Sequence, residues 1–387
     1  MSANEQNNLQ AQAVERLIDR LVCDNLKALV PYESARRLFA ASDNSQDAQV
    51  PVWLNANESP FANDYQLDSS LLNRYPDCQP SAVIKAYAQY AGVGNKQVLV
   101  SRGADEGIEL LIRAFCTPGK DRILICPPTY GMYAISAETC NVGVERALLN
   151  SDFSLDLDAI KAYKGKVNLV FICSPNNPTG TSVAEQQVIE VLEHFADSAL
   201  VVVDEAYIEF DADSSFAGKL ADYPNLVVLR TLSKAFALAG IRCGFTLANQ
   251  AVIHTLLKVI APYPMPEPVA QIAAQALSAQ GLVTMQTQLA LIQAEKASLK
   301  QALSALPQIQ LVGDDKANFI LFRCAQKQAL MDYLVSHKMF IRDQSKQINL
   351  ANCLRITVGS VAQNQQLLAL IQQFFASQNN LNTGSQA

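Results

Sequence analysis

The sequence is poor in the residues from which most hydrolytic and metal-dependent sites are built. It has three histidines, His194, His254 and His337. Each lies in a segment with helical apolar spacing, and none stands at a ligand spacing from another. A histidine-based triad and a histidine-rich metal centre are therefore not expected, and no metal site is assigned. Basic charge is in deficit: 17% of residues are charged, an ordinary share, with 30 Lys and Arg against 36 Asp and Glu and a net charge of −6. That balance lacks the basic excess that a nucleic-acid or anionic-membrane partner requires. No apolar run reaches the length of a membrane-spanning helix, and the polar start, Met1 to Asn8, lacks the apolar core of a secretory leader. The nine cysteines are odd in number and scattered, with no Cys-x-x-Cys pair. Several, such as Cys126 and Cys173, sit in apolar strand-like runs. They read as reduced, buried thiols, which points to a cytoplasmic protein.

What the sequence does have is size and apolar content. At 387 residues, half of them hydrophobic, it can form two packed domains. Residues 9–29 carry Leu9, Ala13, Leu17, Leu21 and Leu26 near one helical face, an arm laid on its own domain or on a partner subunit. Helices are expected over about 81–91, 155–163 and 185–196. Apolar runs at 97–101, 122–126, 143–148, 168–173, 199–203, 226–229 and 243–247 read as strands, several with no polar alternation, as expected when both faces are covered. This alternation predicts a mostly parallel sheet with helices on both sides. After a proline-rich crossing, 261–268, a long helical pattern runs from about 269 to 306, broken near Gly281. Short strands near 318–323, 340–342 and 353–359 and a closing helix over 364–375 complete a smaller α+β domain. The expected division is an arm at 1–28, an N-terminal part of the small domain at 29–49, a large domain at 50–268, and a small domain at 269–387 with disorder from about 378.

The chemistry concentrates where the apolar runs end. Parallel sheets bind ligands at the carboxyl ends of their strands. There the chain places Arg102-Gly103-Ala104-Asp105, Tyr130, Asn177, Asp204-Glu205-Ala206-Tyr207 and Thr231-Leu232-Ser233-Lys234, with Arg242 close behind. A strand, a glycine turn and a helix start make an anion cradle from free N–H groups, although the same pattern serves an ordinary turn with Asp105 as a cap. Asp204 ends a buried run, where a carboxylate is costly unless paired; a protonated ring nitrogen would pair it. Lys234, beside hydroxyls and an arginine, suits a Schiff-base lysine next to a phosphate site.

These residues together resemble fold-type I pyridoxal-phosphate enzymes, the aspartate aminotransferase superfamily. The matches are Ser174-Pro-Asn-Asn-Pro-Thr-Gly180, Asp204-Glu-Ala-Tyr207, Thr231-Leu-Ser-Lys234 and Arg242. Within that family the chain looks most like the histidinol-phosphate aminotransferases, through Pro31 to Arg36, Leu54-Asn-Ala-Asn-Glu58, Arg74-Tyr-Pro76, Ser101 to Gly107, Cys126 to Tyr133 and Leu354-Arg-Ile-Thr-Val-Gly359. The resemblance implies a seven-stranded, mostly parallel sheet sandwiched by helices. It also implies pyridoxal 5'-phosphate as cofactor, and transfer of an amino group from L-histidinol phosphate to 2-oxoglutarate.

It implies roles residue by residue. Lys234 would bind the cofactor covalently and then shuttle a proton. Asp204 would hold the ring nitrogen protonated, Asn177 and Tyr207 would bond the ring hydroxyl, and Tyr130 would stack on the ring. The phosphate would sit on Ala104, Asp105, Thr231, Ser233 and Arg242, with Tyr75 reaching it from the other subunit of a homodimer. Arg355 would take the glutamate carboxylate. Tyr32, Asn57, Arg342 and Arg355 would line the substrate side, with Tyr32, Arg342 and Arg355 receiving the substrate phosphate. Three rival readings share the fold. They are an aromatic or broad-range aminotransferase, a decarboxylase of an amino-acid phosphate, and a non-catalytic regulator. The last would need an appended DNA-binding segment, and none precedes Pro31.

Overall fold

The computed structural model describes residues 12, 14–27, 29–30 and 50–384, with side chains described to residue 378. Tyr32 and the rest of 31–49 lie outside the described residues, as does the sequence before residue 12. The arm is helical over residues 14–21 (α1), is interrupted at Val22-Cys23, and resumes as Asp24–Lys27 (α2). A two-residue strand, Val52–Trp53 (β1), follows, then Ser81–Ala91 (α3), Val98–Ser101 (β2), Gly103–Phe115 (α4), Arg122–Ile125 (β3), Met132–Thr139 (α5) and Gly143–Arg146 (β4). The chain continues through Leu157–Lys161 (α6), Leu169–Cys173 (β5), Glu185–His194 (α7), Leu200–Asp204 (β6), Leu226–Thr231 (β7), Gly244–Ala248 (β8) and Gln250–Leu256 (α8).

β2 to β8 form one seven-stranded sheet in the order β2-β8-β7-β6-β5-β3-β4. All pairs are parallel except those of β8, which runs antiparallel to both β2 and β7. The strands are apolar throughout because helices cover both faces. Val170, Ile172, Val201, Val203, Leu226 and Val228 sit in one core layer, and Leu169, Phe171, Val202, Val227 and Leu229 in the other. Consecutive residues thus serve opposite layers, as a strand's two-residue period requires. Parallel β5, β6 and β7 end together, at Cys173, Asp204 and Thr231.

The second unit consists of Glu267–Ala276 (α9), Ala279–Ser304 (α10), Gln310–Val312 (β9), Phe319–Arg323 (β10), Lys327–Ser336 (α11), Met339–Phe340 (β11), Arg342–Asp343 (β12), Cys353–Thr357 (β13) and Val361–Gly384 (α12). Its four-stranded sheet has the order β12-β13-β10-β9. The expected long helix divides at Leu277-Ser278 rather than near Gly281. Ser278 caps α10, its hydroxyl accepting from the Gly281 N–H, so a new helix starts there. α12 also runs past the expected end at Phe375, to Gly384. Nothing from Ala376 to Thr383 is a glycine or proline, and each added residue gains one hydrogen bond.

The two units interleave more than composition suggests. β1 pairs in parallel with β11, and Leu54 is buried in the core formed by β10, β13, α11 and α12. Residues 52–54 therefore belong with the C-terminal unit, although 50 was the expected start of the large domain. Ala270, Ala273 and Ala276 of α9 pack instead in the large sheet's core. α10 spans both, with Met285 and Ile292 in the large core and Leu299 and Leu303 in the small one. We propose the division after Leu54 and again within α10. No helix among the described residues is long and apolar enough to cross a membrane.

Candidate active site

A cavity of about 470 Å³ opens where the ends of β2, β5, β6 and β7 face β12 and β13. Asn57, Ala104, Asp105, Tyr130, Asn177, Asp204, Tyr207, Thr231, Ser233, Lys234, Arg242, Arg342 and Arg355 all line it. Of the sequence candidates only two are missing from this wall. Tyr32 is not described, and Tyr75 stands on the surface, 81% exposed and stacked on Tyr263.

One end of the cavity is a cradle of donors. Gly103 opens α4 with φ of 79°, so the amides of Ala104 and Asp105 lie in the first helical turn. Space is tight. A Cβ on Gly103 would stand 2.7 Å from Arg242 Nη2, and one on Gly244 would collide with the Gly103 carbonyl carbon and the Ala104 nitrogen. The hydroxyls lie nearby, with Thr231 Oγ1 donating to Ser233 Oγ at 2.9 Å. Arg242 Nη1 reaches Ser233 Oγ at 3.4 Å, and Nη2 donates to Asp105 Oδ2 at 3.0 Å. Tyr130 OH donates to the other Asp105 oxygen at 2.9 Å. N-terminal amides, two hydroxyls and a guanidinium around one space suit a phosphate.

Asp204 closes the sheet side. It is 2% exposed, its Oδ1 accepts from Ala206 N–H at 3.1 Å, and its Oδ2 accepts from Tyr133 OH at 2.6 Å. Burial pushes its carboxyl up to about 6, against the pull of both hydrogen bonds. Lys234 Nζ lies 3.2 Å from the Ala56 carbonyl and 5.7 Å from the centre of the Tyr207 ring. Burial, then the positive charge of Arg355, lowers its amine to about 8. A useful fraction is thus unprotonated near neutral pH, as a nucleophilic lysine requires. Tyr207 OH accepts from Asn57 Nδ2 at 2.8 Å, and burial holds its own proton firmly.

The opposite wall is cationic. β12 pairs antiparallel with β13 so that Arg342 stands directly across from Arg355. Arg355 donates to Asn177 Oδ1 at 2.5 Å and to the Asn55 carbonyl at 3.0 Å, and its guanidinium lies 5.2 Å from the Phe319 ring centre. Buried Arg342 Nη1 has no hydrogen-bond partner among the described residues. Like charges directly opposite each other are unfavourable, so this pairing calls for an anion between them. Gln344 and Gln347 complete this side, with Gln347 Nε2 donating to Gln344 Oε1 at 3.0 Å.

Sequence reasoning missed Tyr133, Gln344 and Gln347. The two glutamines sit in a polar loop with no periodic or motif signal. Tyr133 closes the Cys126 to Tyr133 motif, but in sequence it reads as an ordinary core residue of a helix, with nothing local to give its hydroxyl a role.

A family model described as aminotransferase class I and II matches residues 38–371, and the chain belongs to that family. Its relatives narrow the class. The chain is 71% identical over 368 residues to a histidinol-phosphate aminotransferase of Pseudoalteromonas atlantica, covering 95% of this chain and 98% of the relative. It is 54% identical over 351 residues to a histidinol-phosphate aminotransferase of Escherichia coli K12, covering 91% and 96%. Its fold resembles the crystal structure of histidinol-phosphate aminotransferase from Sinorhizobium meliloti in complex with pyridoxal-5'-phosphate. That match has a TM-score of 0.80 and 20% identity, and covers 92% of this chain and 98% of the other.

Proposed function

We propose that the chain uses pyridoxal 5'-phosphate to transfer the amino group of L-histidinol phosphate to 2-oxoglutarate. The products are imidazole acetol phosphate and L-glutamate, and the reaction is a reversible step of histidine biosynthesis. The observation that carries this reading is a single cavity in which a phosphate-type cradle, a part-neutral lysine and a buried carboxylate face two opposed arginines.

The cavity residues fit the cofactor. The cradle that a Cβ on Gly103 would fill suits its phosphate, and Asp204 suits a cationic ring nitrogen. Bound there, pyridoxal phosphate supplies an electron sink that lets an amino group leave one carbon skeleton and join another. Ala104, Asp105, Thr231, Ser233 and Arg242 hold the phosphate, and Tyr130 covers the ring. Asp204 keeps a proton on the ring nitrogen. Asn177 and Tyr207 bond the ring hydroxyl, with Asn57 setting the direction of the Tyr207 O–H. Lys234 Nζ would hold the cofactor, and its part-neutral amine could carry the proton removed from the substrate carbon. Arg355 takes the glutamate α-carboxylate. Arg342, Arg355 and Tyr32 take the substrate phosphate, because a guanidinium fork serves either anion.

We also read the active unit as a cytoplasmic homodimer in which Tyr75 completes the neighbour's phosphate site. Its support is the exposure of Tyr75, stacked on exposed Tyr263, and of Leu67, Leu71 and Leu72 earlier in the same segment, together with nine unpaired thiols.

The test is one half-reaction. The pyridoxal form is mixed with L-histidinol phosphate, L-histidinol or L-tyrosine, and the cofactor absorbance is followed. Rapid conversion with the phosphorylated amine alone is the expected result. Equal or faster conversion with L-tyrosine would replace this substrate with a broad or aromatic range and leave the cofactor site standing.

A further inference from the structure

Tyr133 is wholly buried in the first turn of α5, and its hydroxyl meets Asp204, which lines the cavity. Its ring stacks on Phe171 of β5, with centroids 4.9 Å apart and planes at 19°. It also meets Tyr130 edge-on at 5.6 Å. These two contacts fix the ring, so its O–H has little freedom. It donates to Asp204 Oδ2 at 2.6 Å, the length of a charge-assisted bond from a hydroxyl to a carboxylate oxygen. The other Asp204 oxygen is held by the Ala206 amide. Each carboxylate oxygen can accept twice, so both anchors leave Asp204 able to accept from the cavity.

We propose that Tyr133 is a positioning residue that fixes Asp204 as a charged acceptor facing the cofactor's ring nitrogen. The inference rests on reading the cavity as a pyridoxal-phosphate site. The physical reason is desolvation. A carboxylate this deeply buried is costly in its charged form, and a hydrogen bond donated to that form offsets the cost. Without the donor, Asp204 takes up a proton more readily and can turn away from the ring. Tyr133 touches no reacting atom; it acts only through Asp204.

Tyr133→Phe keeps the ring and its stacking on Phe171 while deleting the one donor. The experiment compares full-length wild type and Y133F, each resolved from cofactor. Both are titrated with pyridoxal phosphate and with its deaza analogue, in which a C–H replaces the ring nitrogen. Bound cofactor is read by fluorescence quenching. Wild type should prefer pyridoxal phosphate, and Y133F should lose about tenfold or more of that preference, the loss of one charge-assisted hydrogen bond. Its affinity for the analogue should match wild type. An unchanged preference in Y133F, or an equal loss for both cofactors, would overturn the proposal and leave the cofactor reading intact. No preference in wild type would instead overturn the assigned partner of Asp204, and this inference with it.

Discussion

On the sheet side of the cavity, the polar groups are tied to one another. Asp204 has a partner on each oxygen, Thr231 bonds Ser233 and the Cys243 carbonyl, and Tyr130 and Arg242 share Asp105. Behind them lies a second buried layer. Arg230, one residue before Thr231, pairs with Glu205, one residue after Asp204, at 2.8 Å, and Ser215 and the Phe216 amide complete the pair. Across the cavity, on β12 and β13, two guanidinium groups face each other and Arg342 Nη1 finds no partner among the described residues. The contrast is between a surface finished by its own hydrogen bonds and one finished by what arrives. A preorganised wall suits a resident cofactor. A wall with unspent donors suits substrates that come and go, and that differ in which anion they carry.

Removing one arginine from each wall should break the comparison most visibly. Arg230→Met leaves Glu205 buried without its cation. The expected cost is about 3–5 kcal/mol of stability, read as a lowered denaturant midpoint. Arg342→Met should cost under about 1 kcal/mol by the same measurement, since no internal bond of Nη1 is lost. It should instead raise KM for the phosphorylated amine by about tenfold or more, with a smaller effect on glutamate. Equal stability losses in the two variants would erase the distinction between the walls.

The titration of Lys234 sharpens the comparison, because both walls act on it. Its amine is lowered from 10.5 to about 8, first by burial on the sheet side and then by Arg355. The rate at which cofactor-free protein captures pyridoxal phosphate should therefore rise with pH and level off above about 8. Between about 8 and 10.5 the unfolded chain holds a proton that folded Lys234 has lost. This residue's contribution to the stability of the cofactor-free protein thus increases with pH across that window and is constant below it. Arg355→Gln should move the capture midpoint upward. An unmoved midpoint would show that the substrate wall does not reach Lys234.

The residues of the sheet wall were the more legible from sequence, for a physical reason. Asn177, Asp204, Thr231, Ser233 and Lys234 each follow an uninterrupted apolar run, and a parallel sheet brings the ends of such runs together. Arg355 was legible only through its motif, and nothing local placed Arg342 opposite it. That placement is a register between two strands, set by packing over distance. The same applies to β1, whose two residues find their partner at Met339-Phe340. Tyr133 was hidden for a different reason. A tyrosine in an apolar helical turn looks the same whether its hydroxyl meets water or a carboxylate.

We propose that the resting protein holds its cofactor through Lys234, on the sheet wall. The most direct measurement is reduction of the purified protein with borohydride in the presence of pyridoxal phosphate, followed by peptide mass mapping. The account predicts a phosphopyridoxyl group on Lys234 and on no other lysine. Modification centred on a different lysine, or none at all, would contradict it.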